Sequence, residues 1–153
     1  MEPSDWPAVE AIYAEGVATR QATFERATPS WDEFDRAHLE SPRLVADDTD
    51  GVVGWAALAP TSTRPCYSGV AEHSVYVTER ARGKGIGRAL LEALAVSARS
   101  TGIWTLQTSV FPENSASVSL HEHLGFRIVG RRERIAQLDG VWRDTVLMER
   151  RAA

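Results

Sequence analysis

The run Glu79 to Leu94, ERARGKGIGRALLEAL, sets Gly83, Gly85 and Gly87 among Arg82, Lys84, Ile86 and Arg88, then continues as an apolar pattern of helical period. Glycine admits positive φ and lets the backbone come close to a bulky group. A helix starting behind such a turn points its free N–H groups and the positive end of its dipole at one spot. The chemistry on offer is capture of an anion, and a pyrophosphate suits the cradle. Two nucleotide motifs fail on residues. A P-loop needs Gly-Lys-Ser/Thr, whereas Lys84 is followed by Gly85; a dinucleotide fingerprint needs G-x-G-x-x-G, whereas the spacing here is G-x-G-x-G with no βαβ unit before it. Two readings stand: a glycine-rich surface turn, or an anion cradle of another kind.

The elements around it must form one domain, residues 1–153. The chain is 43% hydrophobic and 25% charged, with a net charge of -4, which is ordinary for a globular protein with a buried core. The acidic balance gives no general attraction to nucleic acid or to an anionic membrane, so any anion must be held locally. Cys66 is the one cysteine; it allows neither an intrachain disulfide nor a cysteine-based zinc site, and no metal is expected. The N-terminal MEPSDWPAVE lacks the basic and apolar regions of a signal peptide, and no apolar run approaches the roughly 20 residues of a membrane span. A cytoplasmic location is expected.

SDWPAVEAIYAEGV reads as a first helix capped by Ser4 or Asp5, and TPSWDEFDRAHLESP as a second, started by Thr28 or Ser30 and ended by Pro42. RLVADDTDGVVGWAALAP reads as a hairpin. VAEHSVYV alternates: Ala71, His73, Val75 and Val77 share one face, and Glu72, Ser74 and Tyr76 the other. A helix from about Arg88 to Ser100 follows the glycines, then the strand IWTLQTSV. Asn114 caps a short helix that Gly125 stops, and two strands around Asp139-Gly140 close the chain. The order is α-α-β-β-β-α-β-α-β-β, with a further strand before the first helix left open. It implies a mixed sheet with helices on its faces.

Arg82-x-x-Gly85-x-Gly87 behind an apolar strand resembles the pyrophosphate-binding motif of the GNAT N-acetyltransferase superfamily, whose members bind acetyl-coenzyme A (acetyl-CoA). PENSASVSLHEHLGF is similar to that superfamily's second cofactor segment. ATFE, SWDEF, LVADDTDGVVGWA, RPCYSGVAEHSVYV, SVSLHEHLGF and DGVWRDTVLME resemble, in this order, the phosphinothricin (methionine sulfoximine) N-acetyltransferase branch. The resemblance implies an α/β (α+β) GNAT fold, with a central mixed, mostly antiparallel sheet flanked by helices on both faces. It also implies acetyl-CoA as donor, a small-molecule amine as acceptor, and a homodimer.

An amine attacks a thioester only when neutral, yet a free α-amino group is mostly protonated near neutral pH, so a general base is useful. Glu72 is either that base, which the resemblance favours, or a solvated edge carboxylate. Many GNAT enzymes place a Tyr acid where this chain has His121, a departure from the superfamily that matches the branch; His121 either transfers a proton or orders the site. Backbone N–H groups of the Val75–Val77 strand would hold the oxyanion. By resemblance, Val75, Tyr76 and Val77 pair with the pantetheine arm, the run Gly83, Lys84, Gly85, Ile86, Gly87 and Arg88 behind Arg82 cradles the pyrophosphate, and Asn114 bonds the arm from the far side, whether or not it also caps its helix. Arg64, Tyr67 and Phe24 match residues of the branch's substrate site, and each reads equally as a loop residue with no ligand. Cys66 has no base to activate it and reads as filler; His123 reads as a surface residue. Trp6, Trp31, Trp55 and Trp104 read as core or interface, and Trp142 matches a family position near the acceptor pocket or a dimer contact. Other GNAT acceptors, a peptide N-terminus or a polyamine, and a non-catalytic CoA-binding domain stay open.

Overall fold

The computed structural model describes residues 1–152. A 3-10 turn, Pro3–Asp5, leads into α1 (Trp6–Ala18), which is followed by α2 (Trp31–Ala37), β1 (Arg43–Asp48), β2 (Gly51–Pro60), β3 (Val70–Val77), α3 (Ile86–Ser100), β4 (Thr105–Val110), α4 (Ser115–His123), β5 (Arg127–Leu138) and β6 (Val141–Arg151). The element order is the expected one. Among the described residues no strand precedes α1; the Met1 ammonium instead donates to the Arg43 carbonyl at 3.0 Å, beside the start of β1.

The six strands lie in the order β1-β2-β3-β4-β6-β5. Only β3 and β4 run parallel, so the sheet is mixed and mostly antiparallel. Alternation along β2 feeds both faces. Trp55 and Ala57 pack with Val9, Ile12 and Phe34 under α1 and α2, while Ala56 and Leu58 join the cluster under α3 and α4. On α3, Leu90, Leu91, Leu94, Ala95 and Ala98 form the buried stripe. Burying each of those leucines contributes about 1.5–3 kcal/mol, which seats α3 firmly against the sheet. Helices therefore cover both faces, as expected.

Three local details differ from the sequence reading. Asp5 precedes α1 without capping it; its carboxylate accepts the Glu2 N–H at 2.7 Å inside the preceding turn. α2 stops at Ala37, well before Pro42, because Leu39 leaves the helix to donate its N–H to Leu58 of β2 at 2.7 Å. α3 begins at Ile86, two residues early, because Gly85 takes the left-handed conformation (φ 80°) and serves as the N-cap. Trp104, read as core or interface, is 41% exposed and covers Gly69 just ahead of β3, where a Cβ would fall 2.0 Å from its ring.

Candidate active site

The parallel pair opens the sheet. β3 and β4 pair only through Val70–Thr105, Ala71–Leu106 and Glu72–Gln107, although β3 continues to Val77 and β4 to Val110. Beyond Glu72 the strands part. The Thr78 N–H turns to Val53 of β2 at 2.9 Å, so alternation directs the backbone groups of Val75 and Val77 the other way, into the gap. Tyr76 differs from its neighbours: its backbone faces β2, opposite Trp55, and its ring stacks on Trp55 (centroids 4.9 Å) with Tyr13 at 5.0 Å. Burial pushes its phenol pKa up.

The glycine turn closes one end of the gap. Arg82 donates Nε–H to the Val77 carbonyl at 3.2 Å, tying the turn to the strand. Gly83 and Gly85 have φ of 75° and 80°, values that favour glycine. Gly87 is ordinary: a Cβ there would only touch Val77 and Leu120. The first helical bond of α3 runs from the Ala89 N–H to the Gly85 carbonyl. The six amides from Gly83 to Arg88 therefore have no acceptor among the described residues, and no side chain caps the helix. Lys84 is exposed, and Arg88 pairs loosely with Glu92 at 3.0 Å on the surface. Free donors, a dipole end and a lysine converge there, which fits a pyrophosphate.

Glu72 sits at the last paired register, exposed, on the face it shares with Ser74 and Tyr76. His121 of α4 lies behind the opposite face of β3, 5% exposed. Its Nδ1 is 2.6 Å from the Ser117 carbonyl, and its Nε2 is 2.8 Å from Nε2 of His73, which is 3% exposed. Burial lowers the His121 pKa, the Ser117 bond opposing it. Burial first, then His121, pushes His73 down to about 3. His73 carries a signal in the sequence alone, being the one polar residue on the apolar face of its strand.

In the loop after α1, Phe24 lies edge-on to Phe111 (4.9 Å). The Asn114 side chain serves twice. Its oxygen accepts the Ser117 N–H, capping α4, and its nitrogen donates to the Gln21 carbonyl at 3.1 Å. Arg143 holds the same loop, donating to the Arg20 carbonyl (3.0 Å) and the Gln21 side chain (3.1 Å), with its guanidinium 4.0 Å from the centre of the Phe111 ring. Arg143 was missed because its partners come from the other end of the chain. Arg64 and Tyr67 flank Cys66 on the exposed loop before β3, the Arg64 guanidinium 5.4 Å from the Tyr67 ring. His123 is exposed, as expected.

Two surface concavities lie elsewhere. One of about 350 Å³ is lined by Gly125, Arg127, Glu149, Arg150 and Arg151, and one of about 250 Å³ includes Trp104 and Arg151. Both sit at the end of β4 opposite the gap, where Thr105 pairs with Arg151. Neither gathers any of the residues above. Glu72, the parted strands and the glycine turn instead form an open wedge rather than a closed cavity.

Comparison with known proteins agrees with this geometry. The Acetyltransferase (GNAT) family model matches residues 6–126. The L-methionine sulfoximine/L-methionine sulfone acetyltransferase of Pseudomonas aeruginosa is 37% identical over 95% of this chain and 88% of its own. A phosphinothricin acetyltransferase from Sinorhizobium meliloti, solved in complex with AcCoA, superposes with a TM-score of 0.88 at 31% identity, over 99% of this chain and 85% of that one. The ribosomal-protein-alanine N-acetyltransferase of Brucella melitensis superposes with a TM-score of 0.89 at 31% identity, over 99% and 96%. With its parted parallel strands and its open glycine-led helix, the chain belongs to the GNAT family of acetyltransferases.

Proposed function

We propose that this protein moves the acetyl group of acetyl-CoA to the α-amine of a small amino-acid-like substrate, such as phosphinothricin, methionine sulfoximine or methionine sulfone, by direct attack within a ternary complex. The observation that carries the reading is the wedge itself: unpaired β3 backbone runs straight into unbonded amides at the start of α3. Acetyl-CoA supplies a thioester, a carbonyl already activated toward an amine. The amides of Gly83–Arg88, with Arg82 and Lys84, hold the pyrophosphate. Val75 and Val77 offer their backbone to the pantetheine arm and an N–H to the carbonyl oxygen as charge develops on it. Tyr76 supports them through its stack on Trp55.

Glu72, placed where the strands part, takes the proton of the attacking amine, directly or through a water. His121 occupies the position from which many family members offer a Tyr. Arg64 and Tyr67 bind the substrate carboxylate, and Phe24 covers its side chain. Asn114 steadies the loop that carries Phe24 and reaches the arm with its remaining N–H. Cys66 takes no part. We also read the 153 residues as one cytoplasmic domain. We read the protein as a homodimer, a reading supported by the half-exposed Ile128, Ile135, Val141 and Trp142 of the terminal hairpin.

The likeness to the Brucella protein favours a second reading, in which a peptide N-terminus is the acceptor. Thiol release from acetyl-CoA separates the two, using free amino acids, phosphinothricin, methionine sulfoximine, methionine sulfone, a polyamine and a short peptide. Turnover confined to the amino-acid analogues is expected. Turnover on the peptide or polyamine alone would overturn the acceptor and keep the donor.

A further inference from the structure

Two buried imidazoles meet behind the point where the strands part. The rings of His73 and His121 lie 5.1 Å apart at 28°, and Phe126 packs against both at 5.1 Å. Their partners fix the protons. A carbonyl oxygen only accepts, so His121 Nδ1, 2.6 Å from the Ser117 carbonyl, carries hydrogen. In the neutral ring Nε2 is then a lone pair. The 2.8 Å Nε2–Nε2 contact is a hydrogen bond only if His73 supplies its proton from Nε2. His73 Nδ1 is thereby left as a lone pair; no partner lies at hydrogen-bond distance among the described residues, although the Gln107 backbone of β4 is near enough to favour a proton on the ring. From α4 the pair meets the Ser117 carbonyl, with the Ser117 hydroxyl at 3.4 Å from Nδ1; from β4 it meets the Gln107 backbone. Among the described residues no carboxylate or cation bonds either ring, and the titratable group that acts on His73 is His121 itself.

We propose that His73 is a positioning residue of the transfer site: by donating Nε2–H to Nε2 of His121 it holds His121 as the neutral Nδ1–H tautomer and ties α4 to β3 where the strands part. The consequence for catalysis rests on the acetyl-transfer reading; the tautomers do not. With its proton committed to Ser117 and its lone pair to His73, His121 neither protonates the departing sulfur nor deprotonates the amine. In the transfer step the amine nitrogen bonds to the acetyl carbon and the carbon–sulfur bond breaks. The amine's proton passes to Glu72, and the sulfur leaves as thiolate.

Imidazole nitrogen-15 NMR of the wild-type protein tests this without relying on a variant that folds. Across about pH 5.5 to 8, where a free histidine would titrate, the account expects one Nε2–H on His73, one Nδ1–H on His121, and scalar coupling between the two Nε2 nitrogens. A proton on Nε2 of His121 with none on His73, or an imidazolium at neutral pH, would overturn it. Kinetics give the second arm. His73→Gln keeps a donor near the same place and retains kcat and the pH profile. His73→Phe removes the donor, frees His121 to titrate near its ordinary value, and lowers kcat about 10- to 100-fold with little change in KM. Equal kcat and pH profiles in all three proteins would overturn the positioning role. A wild-type protein inactive on every amine would defeat the acetyl-transfer reading, while the NMR result still decides the tautomers.

Discussion

Two helices flank the parted strands and begin in opposite ways. α4 is closed at its start: the Asn114 side chain accepts from Ser117 and also reaches the Gln21 carbonyl. α2, farther off, is closed as well, by the reciprocal bonds of Ser30 and Glu33. α3 is left open, with a left-handed glycine as its cap and no side chain on its free amides. A cap contributes about 1 kcal/mol; α2 and α4 have one, α1 starts without a side-chain cap behind its 3-10 turn, and α3 starts behind glycines and cations. An open end of that kind suits an anionic ligand.

The comparison breaks most readily at Gly85. A Cβ there meets nothing within 4 Å, and its cost to the fold comes from φ alone, at 80°. Gly85→Val is expected to lower stability by about 1–2 kcal/mol. It is expected to lower acetyl-CoA affinity about 100-fold, or about 2.7 kcal/mol, by calorimetry. Unchanged affinity would mean that the open end holds nothing.

The closed helix carries the buried pair, and acid should find it. Both histidines have folded pKa values below the ordinary 6.5, so beneath that pH the unfolded chain binds protons that the native pair refuses. Stability is therefore full above about pH 6.5 and falls as pH drops toward the folded values. The slope is at most about 1.4 kcal/mol per pH unit for each histidine. Urea melts at pH 7 and pH 5 measure the loss, and His73→Gln should reduce it; an identical loss in that variant would remove His73 as its source.

Charge at the open end sharpens the contrast. Lys84→Glu should weaken acetyl-CoA binding about 10-fold at low salt and less at high salt, because the residue is exposed and screened. At the closed ends, Asn114→Ala and Ser30→Ala should each cost about 1 kcal/mol in thermal or urea melts. Only Asn114→Ala should also raise the acceptor KM, by loosening the loop that carries Phe24. Ser30→Ala should leave every ligand constant as it was.

What the sequence made legible was local. The Asp139-Gly140 turn, with positive φ at both residues, the alternation of β3 and the glycine cradle are each set by neighbours a few residues apart. The start of α3 slipped by two residues because positive φ at Gly85, not the apolar period, decides where that helix begins. The His73–His121 pair spans 48 residues and exists only because α4 packs on β3. Arg143 reaches a loop 123 residues away. Such contacts are products of topology, and a linear pattern shows at most their residue types.

Glu72 carries the central claim. Thiol release with acetyl-CoA and methionine sulfoximine, measured for the wild-type protein and for Glu72→Gln alongside calorimetric binding of acetyl-CoA, tests it most directly. The account predicts wild-type turnover, a loss of about 100-fold or more in the variant, and equal acetyl-CoA affinity in both. Undiminished turnover by Glu72→Gln, or a wild-type protein that binds acetyl-CoA and acetylates no amine offered, would contradict it.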